Sequence, residues 1–152
     1  MAQRMDSSKL SPEGMAALLG VENYLKKSGL DHKLVALVKT RASQINGCEY
    51  CLHMHTQEAR ALGETEVRLY LLDAWRESAL YSARERAALE WTECLTHIAR
   101  THAPDDVYNS VRRQFSEKEL TDLSIAIGMI NLWNRLLIGA RAVHPSDIAK
   151  AA

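Results

Sequence analysis

Between Ser43 and Ala59 the chain reads SQINGCEYCLHMHTQEA, and Cys48, Cys51, His53 and His55 fall within eight consecutive positions. A helix turns by about 100° per residue, so with Cys48 at zero Cys51 stands near 300° and His55 near 340°, on one face. His53 falls at about 140°, nearly opposite, and does not belong to the group. The constellation is therefore Cys-x-x-Cys-x-x-x-His. Its chemistry is that of an activated thiol. The thiolate is the nucleophile, and the first turn of a helix favours it through unpaired N–H groups and the helix dipole. His55, one turn beyond Cys51, is placed to accept or relay a proton. Two thiols at this spacing also close into a disulfide once one is oxidised to sulfenic acid, which protects that sulfur from irreversible oxidation.

Other readings of these residue types compete. Two cysteines three apart arise by chance on amphipathic helices, and zinc uses such pairs. Structural zinc usually draws a second pair of ligands from a distant segment, and Cys94, His97 and His102 supply no second Cys-x-x-Cys or His-x-x-x-His. Cys94, among the apolar positions of EWTECLTHIA, reads as a small buried hydrophobe. Glu58, at about 280°, is either a local partner for the His55 imidazole, as a proton relay, or a solvated surface glutamate. For Glu90 and Glu93, helical pairing with Arg86 or His97 is the simple account. Trp91 and Trp133 read as core or interface aromatics, either able to wall a thiol pocket. Tyr50 either packs or lines the entrance. Asn131, Asn134 and Arg135 are polar residues in an apolar helix, where they must be paired, bracing the cysteine helix or a subunit contact. His32, His97, His102 and His144 show no partner spacing.

The elements that position these residues are legible from caps and periodicity. With 152 residues, 47% of them apolar, the chain reads as one domain with a core that needs no staple; the motif-bearing part is 31–142, and 1–10 and 146–152 are expected to be flexible. Nineteen basic residues balance nineteen acidic ones, so nothing in the charge points to nucleic acid or an anionic membrane. No secretory pattern opens the chain and no run of about 20 apolar residues occurs, so a cytoplasmic protein is expected, where a Cys-x-x-Cys pair is more often catalytic or metal-binding than structural. Ser11 and Pro12 start a helix to about Lys27. Asp31 caps one ending at Asn46 and Gly47. A third runs from about Cys48 to Gly63, and Thr65 caps a short fourth. Ser82 with Glu85 and Ser116 with Glu119 fit the capping box and announce helices over 83–100 and 117–142, with a shorter one from Asp105 to Phe115 between them. No stretch alternates as a strand does. The class is all-α, about seven helices, and the last, apolar nearly all round, is central or lies between subunits.

The stretch LVKTRASQINGCEYCLHMHTQEARALGETEVRLYLLDAWRES, followed by ERAALEWTECLT and INLWNRL, resembles the alkylhydroperoxidase D-like branch of the carboxymuconolactone decarboxylase superfamily, from about Leu34 to Leu137. SQINGCxYCxxMH is a specific signature, which a bare Cys-x-x-Cys is not. The resemblance implies an all-α domain in homo-oligomers, trimers or hexamers, and a cofactor-free thiol peroxidase. Its substrate would be a hydroperoxide and its reductant a thiol or dithiol of unknown identity. It assigns Cys51 as the residue attacking the peroxide, Cys48 as the resolving cysteine and His55 to a proton relay. That relay ends in a glutamate twelve residues before the first cysteine; here the position is Ala36, and Tyr50 stands where the family's best-known member has a second histidine. A methyl group carries no proton, so a weak peroxidase, or a thiol oxidoreductase with another substrate, is expected. The lactone decarboxylase activity that names the superfamily is an alternative, against which the cysteine pair argues. A non-catalytic helical interaction or metal-binding module is another.

Overall fold

A computed structural model describes residues 2–144. Those residues form nine α-helices and no strand: α1 (Ser7–Leu10), α2 (Pro12–Leu25), α3 (His32–Asn46), α4 (Glu49–Ala61), α5 (Glu66–Tyr70), α6 (Ala83–Thr96), α7 (Ile98–Thr101), α8 (Asp105–Arg112) and α9 (Glu117–Ala140), with a 3-10 turn at Leu72–Ala74. The all-α class holds. Most boundaries follow the caps the sequence carries. Asp31 accepts the Leu34 N–H at 2.8 Å, and both capping boxes close. Ser11 holds the N-cap position of α2 but makes no side-chain cap bond, leaving Pro12 as the start signal.

The helix count exceeds seven for two reasons. The first ten residues, expected to be flexible, contain the turn α1, capped by Asp6, and the Arg4 N–H donates to the Ala140 carbonyl at 2.9 Å. The helix expected over 83–100 breaks at His97. There the Thr101 hydroxyl takes up the Cys94 carbonyl at 2.8 Å, and His102 and Ala103, ahead of Pro104, turn to positive φ. The segment 146–152 lies outside the described residues.

Helix α3 is the hub, packing against α4, α6 and α9. One side sends Leu34 and Val38 into a cluster with Trp91, Leu123 and Ile127. A second sets Ala36 and Leu37 against Ala59, Leu72, Trp75 and Leu89. Near its end Ala42 packs on Cys48, Cys51 and Ile130. Glu93 does not take the surface pairing the sequence suggests. It crosses to accept from Arg41 Nε and Trp75 Nε1, each at 2.8 Å, and from Arg76. Burial alone would raise its pKa, but these donors hold it below the ordinary glutamate value.

The long α9 is apolar enough, by length and composition, to cross a membrane; here it packs on α2, α3, α6 and α8. Its amides face inward and are paired. Asn46, the last residue of α3, donates from Nδ2 to Asn131 Oδ1 at 3.0 Å and to Asn134 Oδ1 at 2.8 Å. Asn134 returns a bond to Ser43 Oγ at 3.1 Å, and Arg135 donates to Asn131 Oδ1 at 3.0 Å. The end of α3 is thereby fixed to α9 just before the chain turns into the cysteines. Replacing Asn134 by Ala strips a fully buried bond from Ser43 and another from Asn46, and should lower unfolding stability by about 1–3 kcal/mol in denaturant titrations. A loss below a few tenths of a kcal/mol would mean that the clamp contributes little.

Candidate functional site

Gly47 ends α3 with φ at 68°, a left-handed conformation that costs glycine little, and the chain reverses there. Cys48 follows as the N-cap of α4, in extended conformation, so the cysteine helix proper begins at Glu49. This departs from a helix starting at Cys48, but the two cysteines still meet. Their Cα atoms are 5.4 Å apart, their sulfurs are joined as a disulfide, and both residues are buried against Ala42 and Ile130.

Cys51 and His55 border one cavity of about 450 Å³. His55 is 4% exposed, and its Nδ1 lies 2.9 Å from Glu58 Oε2. With the carboxylate accepting, the imidazole carries a proton on Nδ1, and Nε2 faces away from Glu58. Glu58, half exposed, has its pKa lowered, first by the hydrogen bond from His55, against the opposing effect of burial, and further by the charges of His55, Lys39 and Lys26. Of the two readings open for Glu58, the local partner is the one the structure realises. Apolar walls come from Leu19, Met54, Trp133 and Leu137, and Tyr50 both packs beside the cysteines and lines the cavity.

Three charged groups in this cavity escaped sequence reasoning. Lys39 of α3, only 8% exposed, pairs with Glu22 of α2 at 2.7 Å. Glu22 also accepts from Trp133 Nε1 at 2.9 Å, and Lys26 stands at the rim. A lysine following the apolar run Leu34–Val38 was the available signal for Lys39; Glu22 gave none, because only the docking of α2 brings it there. Ala36 is 1% exposed and sits in the apolar cluster with Ala59, Trp75 and Tyr81, so no carboxylate stands at that position.

Other candidates fall elsewhere. His53 points away, its Nδ1 2.9 Å from His144 Nε2. His144 therefore has a partner that sequence spacing did not show. Trp91 donates to Ser124 Oγ at 2.9 Å, remote from the thiols, and Cys94 is a buried free thiol. Among the described residues no three or more His, Cys, Asp or Glu side chains are grouped to hold a metal ion.

Comparison with known proteins places this geometry among relatives. The profile of the carboxymuconolactone decarboxylase family matches residues 12–93, more than half of the chain. The Bacillus subtilis protein YdfG, uncharacterised, is 44% identical over 138 residues, covering 91% of this chain and 94% of that protein. The uncharacterised Escherichia coli protein YnjA is 33% identical over 108 residues, 70% of this chain and 58% of that one. A crystal structure of an Agrobacterium tumefaciens protein of unknown function, put forward as the antioxidant defence protein AhpD, superposes with a TM-score of 0.91 at 44% identity, covering 95% of this chain and 99% of that one.

The lowered pKa of Glu58 has a consequence for pH. A carboxyl group whose folded pKa lies below its unfolded one adds stability that is present above the ordinary glutamate range and is lost as pH falls through the folded value. Carboxyl-carbon NMR should find Glu58 titrating below the exposed glutamates, and His55→Ala should move its midpoint upward. An unchanged midpoint in that variant would show that the hydrogen bond is not the cause.

Proposed function

The chain belongs to the carboxymuconolactone decarboxylase family, in its alkylhydroperoxidase D-like branch, and from that premise we propose that it is a thiol-dependent peroxidase in which Cys51, Cys48 and His55 do the chemistry. The observation that carries this reading is one cavity bordered by both Cys51 and a buried, carboxylate-bonded His55, with Cys48 bonded to Cys51 behind it. The Agrobacterium protein put forward as AhpD, at 44% identity, supports the same reading.

In the proposed cycle the Cys51 thiolate attacks the terminal oxygen of a hydroperoxide. The O–O bond breaks, the proton that His55 took from the Cys51 thiol on Nε2 passes to the alkoxide, which leaves as the alcohol, and Cys51 becomes a sulfenic acid. The Cys48 thiol then loses its proton and its sulfur attacks that of Cys51, the hydroxyl takes up the proton Cys48 gave and leaves as water, and the disulfide forms. Lys39, the first turn of α4 and the hydrogen-bonded imidazole all favour the reactive thiolate. The apolar walls suit an organic hydroperoxide better than hydrogen peroxide. Glu58 is a positioning residue: it fixes the imidazole from within the same helix and takes the part that a relay glutamate at position 36 would have played.

One equivalent of cumene hydroperoxide on the reduced protein should remove two hydrogens between Cys48 and Cys51 by mass spectrometry; accumulation of a stable sulfinic acid without disulfide would overturn the resolving step. Glu58→Gln should lower peroxide turnover by about tenfold or more and shift the pH profile of kcat/KM, which a merely structural role would not do. Ala36→Glu should give no gain in turnover and should cost about 3 kcal/mol or more of stability, because it forces a carboxylate among apolar side chains. A large gain would show that Glu58 does not substitute.

A further inference from the structure

The two cysteines border different cavities. Cys51 borders the cavity that holds His55 and Glu58, whereas Cys48 borders a second of about 330 Å³ formed by the start of α4 and the end of α9. Tyr50 and Leu137 line both and form the partition between them. The second cavity carries Arg141, Ile138 and His144, none of which reaches the first. Arg141, exposed at the left-handed C-cap of α9, is its cationic group, and Glu49 of α4 its anionic one.

We propose that the second cavity is the reductant site, where a small thiol bearing a carboxylate attacks Cys48. The proposal rests on the thiol redox cycle above and adds the half of it that the peroxide cavity does not explain. Thiol–disulfide exchange is a displacement in which the attacking sulfur, the attacked sulfur and the leaving sulfur lie nearly in line. A thiolate that expels Cys51 must therefore reach Cys48 from the side away from Cys51, and of the two cavities the second is the one that Cys48 borders and Cys51 does not. The sulfur whose thiolate is more stable leaves faster. Cys51, in the first turn of α4 and sharing its cavity with His55 and Lys39, is the better leaving group, so attack at Cys48 is the productive direction.

Electrons and atoms balance. The first thiolate forms a mixed disulfide with Cys48 and releases Cys51 as thiolate. A second thiolate attacks the reductant sulfur of that mixed disulfide, releasing Cys48 as thiolate and a symmetrical disulfide. Two thiols are oxidised and one protein disulfide is reduced. The carboxylate of the incoming thiol pairs with Arg141. Oxidant and reductant thus need not compete for one opening.

The test starts from protein oxidised with diamide, so that it requires no reaction with peroxide, and follows reduction by glutathione and by cationic cysteamine in stopped flow. Ile138→Trp, which fills the second cavity only, should slow reduction by both thiols by about tenfold or more while leaving oxidation by cumene hydroperoxide within about twofold of the wild type. Arg141→Glu should lower the glutathione rate relative to cysteamine by about fivefold or more. Wild-type reduction rates in Ile138→Trp, or an unaltered glutathione to cysteamine ratio in Arg141→Glu, would overturn the assignment. As a measurement that does not depend on filling the cavity, Arg141→Glu should slow labelling by glutathione disulfide of Cys48 in Cys51→Ser and leave that of Cys51 in Cys48→Ser unchanged; equal slowing of both, or of neither, would also overturn it. Failure of cumene hydroperoxide to oxidise the wild type would sink the peroxidase reading alone and leave the diamide experiment intact.

Discussion

The clamp between the last turn of α3 and α9 sets the position of everything chemical in this protein. Asn46 bonds to two asparagines of α9, Asn134 bonds back to Ser43, and immediately afterwards Gly47 turns the chain into Cys48. Buried amides tolerate few arrangements, because each unpaired group loses the full benefit of its lost hydration. Fixing both ends of that short reversal fixes where α4 starts, and so where Cys48 and Cys51 lie relative to α9. The cavity that Cys48 borders and the one that Cys51 borders share Leu137 of α9 as a wall, which ties their shapes to the same contact.

Charge in the main cavity is arranged in compensated pairs. Lys39 is held by Glu22, and Glu22 by Trp133, while His55 is held by Glu58. A buried lysine without a carboxylate would be costly to keep, so the Glu22 contact is what allows a cation so close to the cysteine helix. The price is that α2 becomes part of the site.

The methyl group at position 36 and the carboxylate at position 58 belong to one packing arrangement. Ala36 lets α3 and α4 meet at Ala59 in a wholly apolar cluster. The imidazole then turns to a partner on its own helix, one turn further on and half exposed. The contact that holds the imidazole therefore lies within α4 and does not cross to α3.

The sequence by itself determined the helices, because caps, glycines and periodicity are local, and it determined that Cys51, His55 and Glu58 share a face, because helical geometry relates residues a turn apart without outside help. It also carried the family signature. It misjudged the break at His97, where a threonine hydroxyl competes with the helical pattern, and it paired Glu93 with helical neighbours when Arg41, Arg76 and Trp75 claim it across the fold. Tertiary structure alone decided that Glu22 and Lys39 enter the thiol cavity, that Trp133 and not Trp91 walls it, that His53 meets His144, and that Cys48 and Cys51 border different cavities. Those arrangements bring together distant parts of the chain, and the angle and register at which helices dock follow from the whole set of packed side chains rather than from any stretch of sequence.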